Sequence, residues 1–326
     1  MASVRVRVLV LDDYQDAARR LAPWADLAGV VDVDLDVRTN HLDADELRVA
    51  LAPADVVVAM RERTPLPREM LAQAPNLKLV VTTGMANAAI DIDACHQRGI
   101  EVRGTSGLRT STAELTWALI LALSRHVCAE DRAVRRGGWQ HTLGFELSGA
   151  RLGVIGLGHL GEAVARVGIA FGMDVVAWSQ HLTSERAQAV GVTAVSKAEL
   201  LSTSDIVTVH LKLSDRTRAI VGSAELAAMK PTAYLINTSR GPLIDEAALV
   251  RALHDGTIGG AGLDVFDVEP LPLDHPLRSV PNTVLTPHIG YVTEATYVVW
   301  WRQVVEDIQV WATRSEDQDV DLLRLL

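Results

Sequence analysis

Gly156-Leu157-Gly158-His159-Leu160-Gly161 is a G-x-G-x-x-G run near the middle of this 326-residue chain. A buried-strand pattern, Arg151 to Ile155, leads directly into it, and a helical pattern starting at Glu162 follows. In such a unit the first glycine permits the tight turn, the second lets the backbone approach a pyrophosphate, and the third lets helix and strand pack closely. The helix N-terminus then offers N–H groups and a positive dipole end to the phosphates. The sequence therefore predicts a dinucleotide site rather than a chance glycine cluster in a loop.

Short apolar runs alternate with helical patterns on both sides of this turn. With the strand before the glycines, five later runs give the six strands of a full dinucleotide-binding sheet: Val175–Trp178, Ile206–Val209, Ala233–Ile236, Gly260–Val265 and Thr283–Leu285. Another alternating series, without a glycine turn, occupies the first hundred or so residues. Such alternation is typical of parallel sheets with helical crossovers. The fold class is therefore α/β, with two doubly wound parallel-sheet domains.

Composition restricts the class of partner. The net charge is −10 and no Lys/Arg block stands out, which argues against nucleic acid or a membrane surface as a partner. The most apolar window, Leu115 to Leu123, is too short to span a bilayer. We expect a cytoplasmic protein, because no targeting segment is visible and Cys95 and Cys128 are read as a reduced pair.

Two apolar helices bear on assembly. The helix from Thr112 to about His126 is apolar on most faces, so we expect it to be buried all round, between domains or against another subunit. A terminal helix from Glu294 to about Thr313 is rich in tryptophan. Both favour a homodimer, although the first helix could instead be buried within one subunit.

Three later segments carry a family resemblance. They are Ile236-Asn237-Thr238-Ser239-Arg240-Gly241, then Gly262-Leu263-Asp264-Val265-Phe266-Asp267-Val268-Glu269-Pro270, then Thr286-Pro287-His288-Ile289-Gly290. In this order after the glycine turn, they resemble the D-isomer-specific 2-hydroxyacid dehydrogenase family over essentially the whole chain. The resemblance implies a flavodoxin-like substrate domain of residues 1–105 and 296–326, into which a Rossmann cofactor domain of residues 106–295 is inserted. It also implies hydride transfer between a nicotinamide cofactor and a D-2-hydroxy acid/2-keto acid pair, as in a glyoxylate or hydroxypyruvate reductase or with a bulkier 2-keto acid.

The chemistry explains the polar residues of these segments. Hydride transfer to or from a secondary alcohol needs a base for the hydroxyl proton, and His288 suits this role because histidine titrates near neutral pH. Glu269 would pair with the other ring nitrogen and fix the tautomer. Arg240 offers a planar fork for a substrate carboxylate. Each follows a predicted strand, at the sheet edge where α/β folds bind ligands. No cysteine or second histidine accompanies them, so no metal site is predicted.

The resemblance implies further contacts. Asp264 should meet the nicotinamide carboxamide, and the other cofactor contacts are Thr112, Gly156, Gly158, His159, Leu160, Gly161, Ser179, His210, Thr238 and Ser239. Arginine is more usual than His159 at the pyrophosphate. Gly84, Met85 and Ala86 lie in a loop whose backbone N–H groups bind the substrate carboxylate in the family, although smaller or different residues are common at the last two positions. Arg61 either faces the same site or is a solvated loop arginine.

The choice between NAD and NADP stays open. An acid that binds the adenosine ribose usually ends the second strand of a dinucleotide-binding sheet and also repels a 2′-phosphate. Here Ser179-Gln180-His181 follows that strand, and Asp174 precedes it at the wrong end. Ser179 and His181 could both bond a phosphate, while Arg186 is one turn or more away on the next helix. NAD is the commoner cofactor in the family.

Other functions share this fold. A nicotinamide-sensing corepressor would predict long disordered extensions, which are almost absent here. A phosphoglycerate dehydrogenase type of allosteric enzyme would need a regulatory domain, and the chain stops soon after the His288 segment. Phosphite and formate dehydrogenases share the sheet and part of the motif set. The leading interpretation is an NAD(P)-dependent D-2-hydroxyacid dehydrogenase.

Overall fold

The computed structural model describes residues 4–108 and 110–314. They form two compact units, the first containing residues 4–108 and 292–314 and the second residues 110–291. Residues 1–3 and 315–326 of the predicted substrate domain lie outside the described residues. Strands and helices are numbered in chain order.

The first unit is a five-stranded parallel sheet with the order β2-β1-β3-β4-β5. Its strands are β1 (Val4–Val10), β2 (Val31–Val37), β3 (Val56–Ala59), β4 (Leu79–Thr82) and β5 (Glu101–Gly104). Its helices are α1 (Ala17–Leu21), α2 (Ala44–Leu51), α3 (Arg68–Leu71), α4 (Ile92–Gln97) and α12 (Glu294–Thr313). Every residue of β3 and β4 is buried, which explains their unbroken apolar runs. This strand order is the flavodoxin-like one, as predicted.

The second unit is a seven-stranded parallel sheet with the order β12-β11-β10-β9-β6-β7-β8. Its strands are β6 (Arg151–Ile155), β7 (Asp174–Trp178), β8 (Thr193–Ala194), β9 (Ile206–Val209), β10 (Tyr234–Asn237), β11 (Gly260–Leu263) and β12 (Thr283–Leu285). Its helices are α5 (Ser111–Ser124), α6 (Val127–Arg135), α7 (His159–Ala170), α8 (Ser184–Val190), α9 (Lys197–Thr203), α10 (Ser223–Ala228) and α11 (Glu246–His254). The predicted fold class is confirmed. The prediction of six strands missed β8, because two residues are too few for a periodic pattern.

The topology of the second sheet determines where a ligand binds. The chain runs from β6 outward to β7 and β8, then returns to the other side of β6 at β9 and continues outward to β12. The strand order therefore reverses between β6 and β9, and the crevice outside the carboxyl ends at this reversal is the usual ligand site. Asn237, Leu263 and Leu285 stand level in the pairing register, so β10, β11 and β12 end at the same edge.

Helix α5 is only partly buried in the single chain. Trp117, Ile120 and Leu123 belong to the core. On its other side Glu114, Ala118 and Leu121 are exposed, and their spacing of four and three residues makes them one stripe along the helix. The helix is therefore not buried all round within one subunit, and burial of this face against another subunit stays a prediction. No helix in the described part of the chain is both long enough and apolar enough to cross a bilayer.

Candidate active site

The three glycines of the turn after β6 have different surroundings. Gly156 has a φ of +99°, and a Cβ there would lie 2.5 Å from the carbonyl oxygen of His210. A Cβ on Gly161 would lie 2.0 Å from the carbonyl oxygen of Gly156. A Cβ on Gly158 would meet nothing within 4 Å. Packing therefore requires the first and third glycines, whereas the open backbone at Gly158 fits the close approach of a pyrophosphate.

Helix α7 begins within this turn. His159 and Leu160 are its first residues, with His159 exposed and Leu160 half-buried. With twelve residues the helix is long enough to present a positive N-terminal end. The turn and helix together suit a pyrophosphate.

The carboxyl end of β7 places two side chains on the glycine turn. Ser179 Oγ accepts the N–H of Leu157 at 3.0 Å, and Arg186 Nη2 donates to the carbonyl of Leu157 at 3.1 Å. Arg186 lies on α8, away from β7 in the sequence, but its long side chain reaches back to the glycine turn. Asp174 stands at the opposite end of β7 and pairs with Arg151 at 2.6 Å, so it plays a structural part. His181 is exposed, and no bond of its ring is found among the described residues.

Glu269 and His288 form an ion pair or hydrogen-bonded pair. His288 Nδ1 lies 2.5 Å from Glu269 Oε2, and the other carboxylate oxygen accepts the N–H of Phe266 at 2.9 Å. The His288 side chain is 15% exposed and the Glu269 side chain is 26% exposed. The edge of the His288 ring meets Tyr291, with centroids 5.5 Å apart. Because Nδ1 is engaged, Nε2 is the ring nitrogen left for a substrate.

Asp264 holds the loop that carries His288. It is fully buried, and its Oδ1 accepts Thr286 Oγ1 at 2.6 Å and the N–H of Ile289 at 2.8 Å. Its Oδ2 accepts the N–H of Gly290 at 2.8 Å. Burial raises the pKa of the Asp264 carboxyl, although these hydrogen bonds and the nearby His288 act to lower it. Oδ2 keeps a lone pair that can accept a carboxamide N–H. The contacts that Asp264 makes within the protein were not predicted from the sequence.

Arg240 stands on a loop that packs directly against the Glu269 segment. Its Nη1 donates to the carbonyl of Ser239 at 2.7 Å, and its own carbonyl accepts Asn237 Nδ2 at 2.8 Å. A Cβ on Gly241 would lie 2.1 Å from the carbonyl carbon of Phe266. The Arg240 loop therefore lies backbone to backbone on the residue whose N–H holds Glu269. Asn237 is therefore a positioning residue for the Arg240 loop, a role that was not predicted from the sequence.

A line of hydroxyl groups follows helix α5. Thr116 Oγ1 donates to the carbonyl of Thr112 and lies 2.8 Å from Thr238 Oγ1. Thr112 Oγ1 in turn donates to the carbonyl of Gly290 at 3.1 Å. Ser239 Oγ donates to the carbonyl of Val209 at 2.8 Å. Thr112, Thr238 and Ser239 were predicted as cofactor contacts, and in this structure each is first a structural hydrogen-bonding group.

His210 follows β9 and is held neutral by its surroundings. Its Nε2 lies 2.9 Å from Thr208 Oγ1, and burial lowers the pKa of His210 to about 3. Its Nδ1 is buried and has no hydrogen-bond partner among the described residues. A buried polar atom of this kind fits a polar group of a cofactor, since such atoms normally have a partner.

In the first unit, the loop after β4 has fewer unused backbone N–H groups than expected for a carboxylate site. The N–H of Gly84 donates to Thr105 Oγ1 at 3.0 Å, so it is already used, whereas the N–H groups of Met85 and Ala86 donate to no atom of the described residues. Gly84 has a φ of +112°, and a Cβ there would lie 1.7 Å from Arg61 Nη1. Arg61 therefore lies on this loop rather than in solvent. A contact between this loop and the substrate carboxylate stays a prediction, and the backbone N–H groups available for it are those of Met85 and Ala86.

No group of three or more His, Cys, Asp or Glu side chains in residues 4–108 and 110–314 is arranged to hold a metal ion.

Comparison with known proteins extends these observations. A family model described as "D-isomer specific 2-hydroxyacid dehydrogenase, NAD binding domain" matches residues 117–290. The chain is 41% identical over 254 residues to a glyoxylate reductase of Aeropyrum pernix, covering 75% of this chain and 76% of that protein. It is 36% identical over 308 residues to a D-3-phosphoglycerate dehydrogenase of Methanocaldococcus jannaschii, covering 93% of this chain and 57% of that protein.

The fold is also similar to that of solved structures. A phosphoglycerate oxidoreductase from Vibrio cholerae o395 superposes with a TM-score of 0.89 and 36% identity, covering 94% of this chain and 99% of that one.

Proposed function

The chain belongs to the D-isomer specific 2-hydroxyacid dehydrogenase family, and on this basis we propose that it reduces a small 2-keto acid with His288 as the proton donor. Its class of activity is that of the family: it is a nicotinamide-dependent oxidoreductase acting on a 2-hydroxy acid/2-keto acid pair. The observation that supports the assignment of roles is the Glu269–His288 pair, which follows strands β11 and β12 beside the Arg240 loop. The relatives give no support to a corepressor or to phosphite or formate oxidation.

Each catalytic side chain has one task in the proposed reaction. When bound, the nicotinamide supplies the hydride that C2 of the keto acid accepts. His288 gives its Nε2 proton to the keto oxygen, which completes the hydroxy acid, and takes that proton back in the reverse direction. Glu269 accepts the Nδ1–H of His288. After the transfer it keeps the neutral ring in the tautomer that is protonated on Nδ1. Arg240 pairs with the substrate carboxylate and polarises the adjacent carbonyl.

The residues around the glycine turn fit the dinucleotide. Gly158 and the first turn of α7, with His159 and Leu160, would hold the pyrophosphate. Asp264 would accept a carboxamide N–H through Oδ2, and His210 Nδ1 would bond a second polar group of the nicotinamide half. These contacts are proposals that rest on the open backbone at Gly158 and on the buried polar atoms described above.

A substrate of the glyoxylate or hydroxypyruvate kind is the best supported. The relative at 41% identity is named a glyoxylate reductase, whereas the phosphoglycerate dehydrogenase is 36% identical to this chain. The test is oxidation of reduced cofactor with glyoxylate, hydroxypyruvate and bulkier 2-keto acids, in the wild type and in Arg240→Ala. We expect the first two to be turned over and Arg240→Ala to lose at least tenfold in kcat/KM. Equal activity in the variant, or no turnover of any 2-keto acid, would overturn the proposal.

We also propose a cytoplasmic homodimer. Along the chain, α5 with its exposed stripe is followed by α6, which has no buried residue, and then by Trp139 and Leu143, which are 77% and 95% exposed. Such large exposed apolar side chains in one segment favour an interface with a second copy. The free thiols of Cys95 and Cys128 are consistent with a reducing compartment.

A further inference from the structure

Two side chains meet at Leu157, the second residue of the glycine turn. Ser179 Oγ accepts its N–H and the Arg186 guanidinium donates to its carbonyl. Ser179 is the first residue after β7, the position where an acid normally binds the ribose hydroxyls of the adenosine. The structure therefore has a hydroxyl and a cation where the usual arrangement has an anion.

Ser179 has a hydrogen left to donate. A hydroxyl group can donate one hydrogen bond and accept two. The bond from Leu157 uses one acceptor site, and no acceptor for the Ser179 hydroxyl hydrogen is found among the described residues. A carboxylate at this position could only accept, which suits a ribose hydroxyl, whereas a serine can donate to a phosphate oxygen.

Arg186 keeps both its charge and most of its donors. The guanidinium carries five N–H donors, and the carbonyl of Leu157 engages one nitrogen. No carboxylate of the described residues lies within ion-pair distance of Arg186. The backbone bond holds the guanidinium at the turn without neutralising it, and a planar fork of this kind suits a phosphate.

We propose that the chain selects NADPH over NADH by binding the 2′-phosphate of the adenosine ribose with Arg186 and Ser179. The inference rests on the proposed function, since it concerns the cofactor of that reaction. The proposed function leaves the choice of cofactor open, whereas here two residues that the fold brings together form the 2′-phosphate site. The charge supplied by Arg186 attracts the phosphate, and the neutral Ser179 removes the repulsion that an acid would exert.

The test measures binding rather than turnover. Isothermal titration of the purified full chain with NADPH and NADH gives the ratio of the two Kd values, and 2′,5′-ADP against 5′-AMP tests the phosphate site without the nicotinamide. We expect NADPH and 2′,5′-ADP to bind at least about tenfold more tightly than NADH and 5′-AMP, because the extra bonds are charge-assisted. The preference should shrink as salt is raised, since Arg186 is exposed.

Variants separate the phosphate site from general effects. Arg186→Ala should raise the Kd for NADPH by about 10- to 100-fold and leave the Kd for NADH within about threefold of the wild-type value. Ser179→Asp should reverse the preference by restoring the acid. Arg251→Ala is the matched control, because it removes an exposed arginine of the same charge from α11 and should change neither Kd.

The outcomes distinguish this inference from the proposed function. Tighter binding of NADH by the wild type, or an equal effect of Arg186→Ala on both cofactors, would overturn the 2′-phosphate site while leaving keto acid reduction intact. If the folded chain bound neither cofactor, both the inference and the proposed function would be wrong.

Discussion

Replacing Glu269 with glutamine removes the charge that faces His288 and preserves the shape. The glutamine oxygen can still accept the N–H of Phe266, which Glu269 Oε1 accepts at 2.9 Å. Its NH₂ group then faces His288 Nδ1, where the carboxylate oxygen lies 2.5 Å away in the wild type. The amide donates to Nδ1, so the ring proton moves to Nε2 in the neutral ring, and the protonated ring loses its counter-ion.

The size of the effect follows from the strength of this contact. Hydrogen bonds to charged groups contribute about 1.5–3 kcal/mol, which corresponds to about 10- to 150-fold at 1.36 kcal/mol per tenfold. The upper half of that range applies, because both side chains are mostly buried, at 15% and 26% exposed. The loss should fall on kcat, with KM changed by less than about threefold, since Glu269 acts through His288 and not on the substrate.

The assay is steady-state reduction of glyoxylate, with thermal unfolding of each variant as a check on folding. The matched control is Asp255→Asn at the C-terminal end of α11, where Asp255 Oδ1 lies 3.2 Å from His254 Nδ1 and both side chains are exposed. That variant should keep kcat within about threefold of the wild type. If Glu269→Gln folded normally and kept a kcat within threefold, or if its loss were confined to KM, the assignment of Glu269 as the partner that orients His288 would be refuted.

Three further outcomes follow from the geometry. Gly161→Ala should lower the melting temperature markedly, because its Cβ would lie 2.0 Å from a carbonyl oxygen of the turn, whereas Gly158→Ala should melt within a few degrees of the wild type and bind the cofactor at least tenfold more weakly; equal melting of the two would contradict this. Burial lowers the pKa of His210 to about 3, while an unfolded histidine titrates near 6.5, so between these values the unfolded chain binds the extra proton and the free energy of unfolding falls as the pH is lowered. Urea unfolding at pH 7 and pH 5 should show a smaller fall in the free energy of unfolding for His210→Asn than for the wild type. An identical fall in both would contradict the lowered pKa of the buried His210. Leu121→Glu combined with Trp139→Lys should convert a dimer into a monomer in light scattering, and a wild-type monomer would refute the proposed interface.

Local patterns in the sequence predicted much of the fold and the candidate site. The strand, glycine turn and helix from Arg151 onward lie as expected, because a tight turn and a close helix approach each require glycine at a set position. Glu269 and His288 were predicted to pair, and the structure brings them together. The reason is general: residues that follow parallel strands in one sheet reach the same edge.

Contacts between segments that are distant in the sequence could not be predicted from local patterns. The N–H of Gly84 is taken by Thr105, a residue 21 positions away that no local pattern connects to it. The two-residue strand β8 exists because β7 is there to pair with it. The exposed stripe of α5 depends on which neighbours cover the helix, and an apolar composition alone cannot indicate that.

The amino-acid sequence by itself determined the α/β class and the glycine turn, and it predicted Arg240, Glu269 and His288 as catalytic residues, because periodicity and strand ends are local properties of the chain. The tertiary structure alone decided how the groups around them are engaged. Asp264 is bound by three donors of the His288 loop, and Arg186 returns from α8 to the carbonyl of Leu157. Both depend on how far a side chain reaches across the folded sheet edge, a distance that is set by packing rather than by position in the sequence.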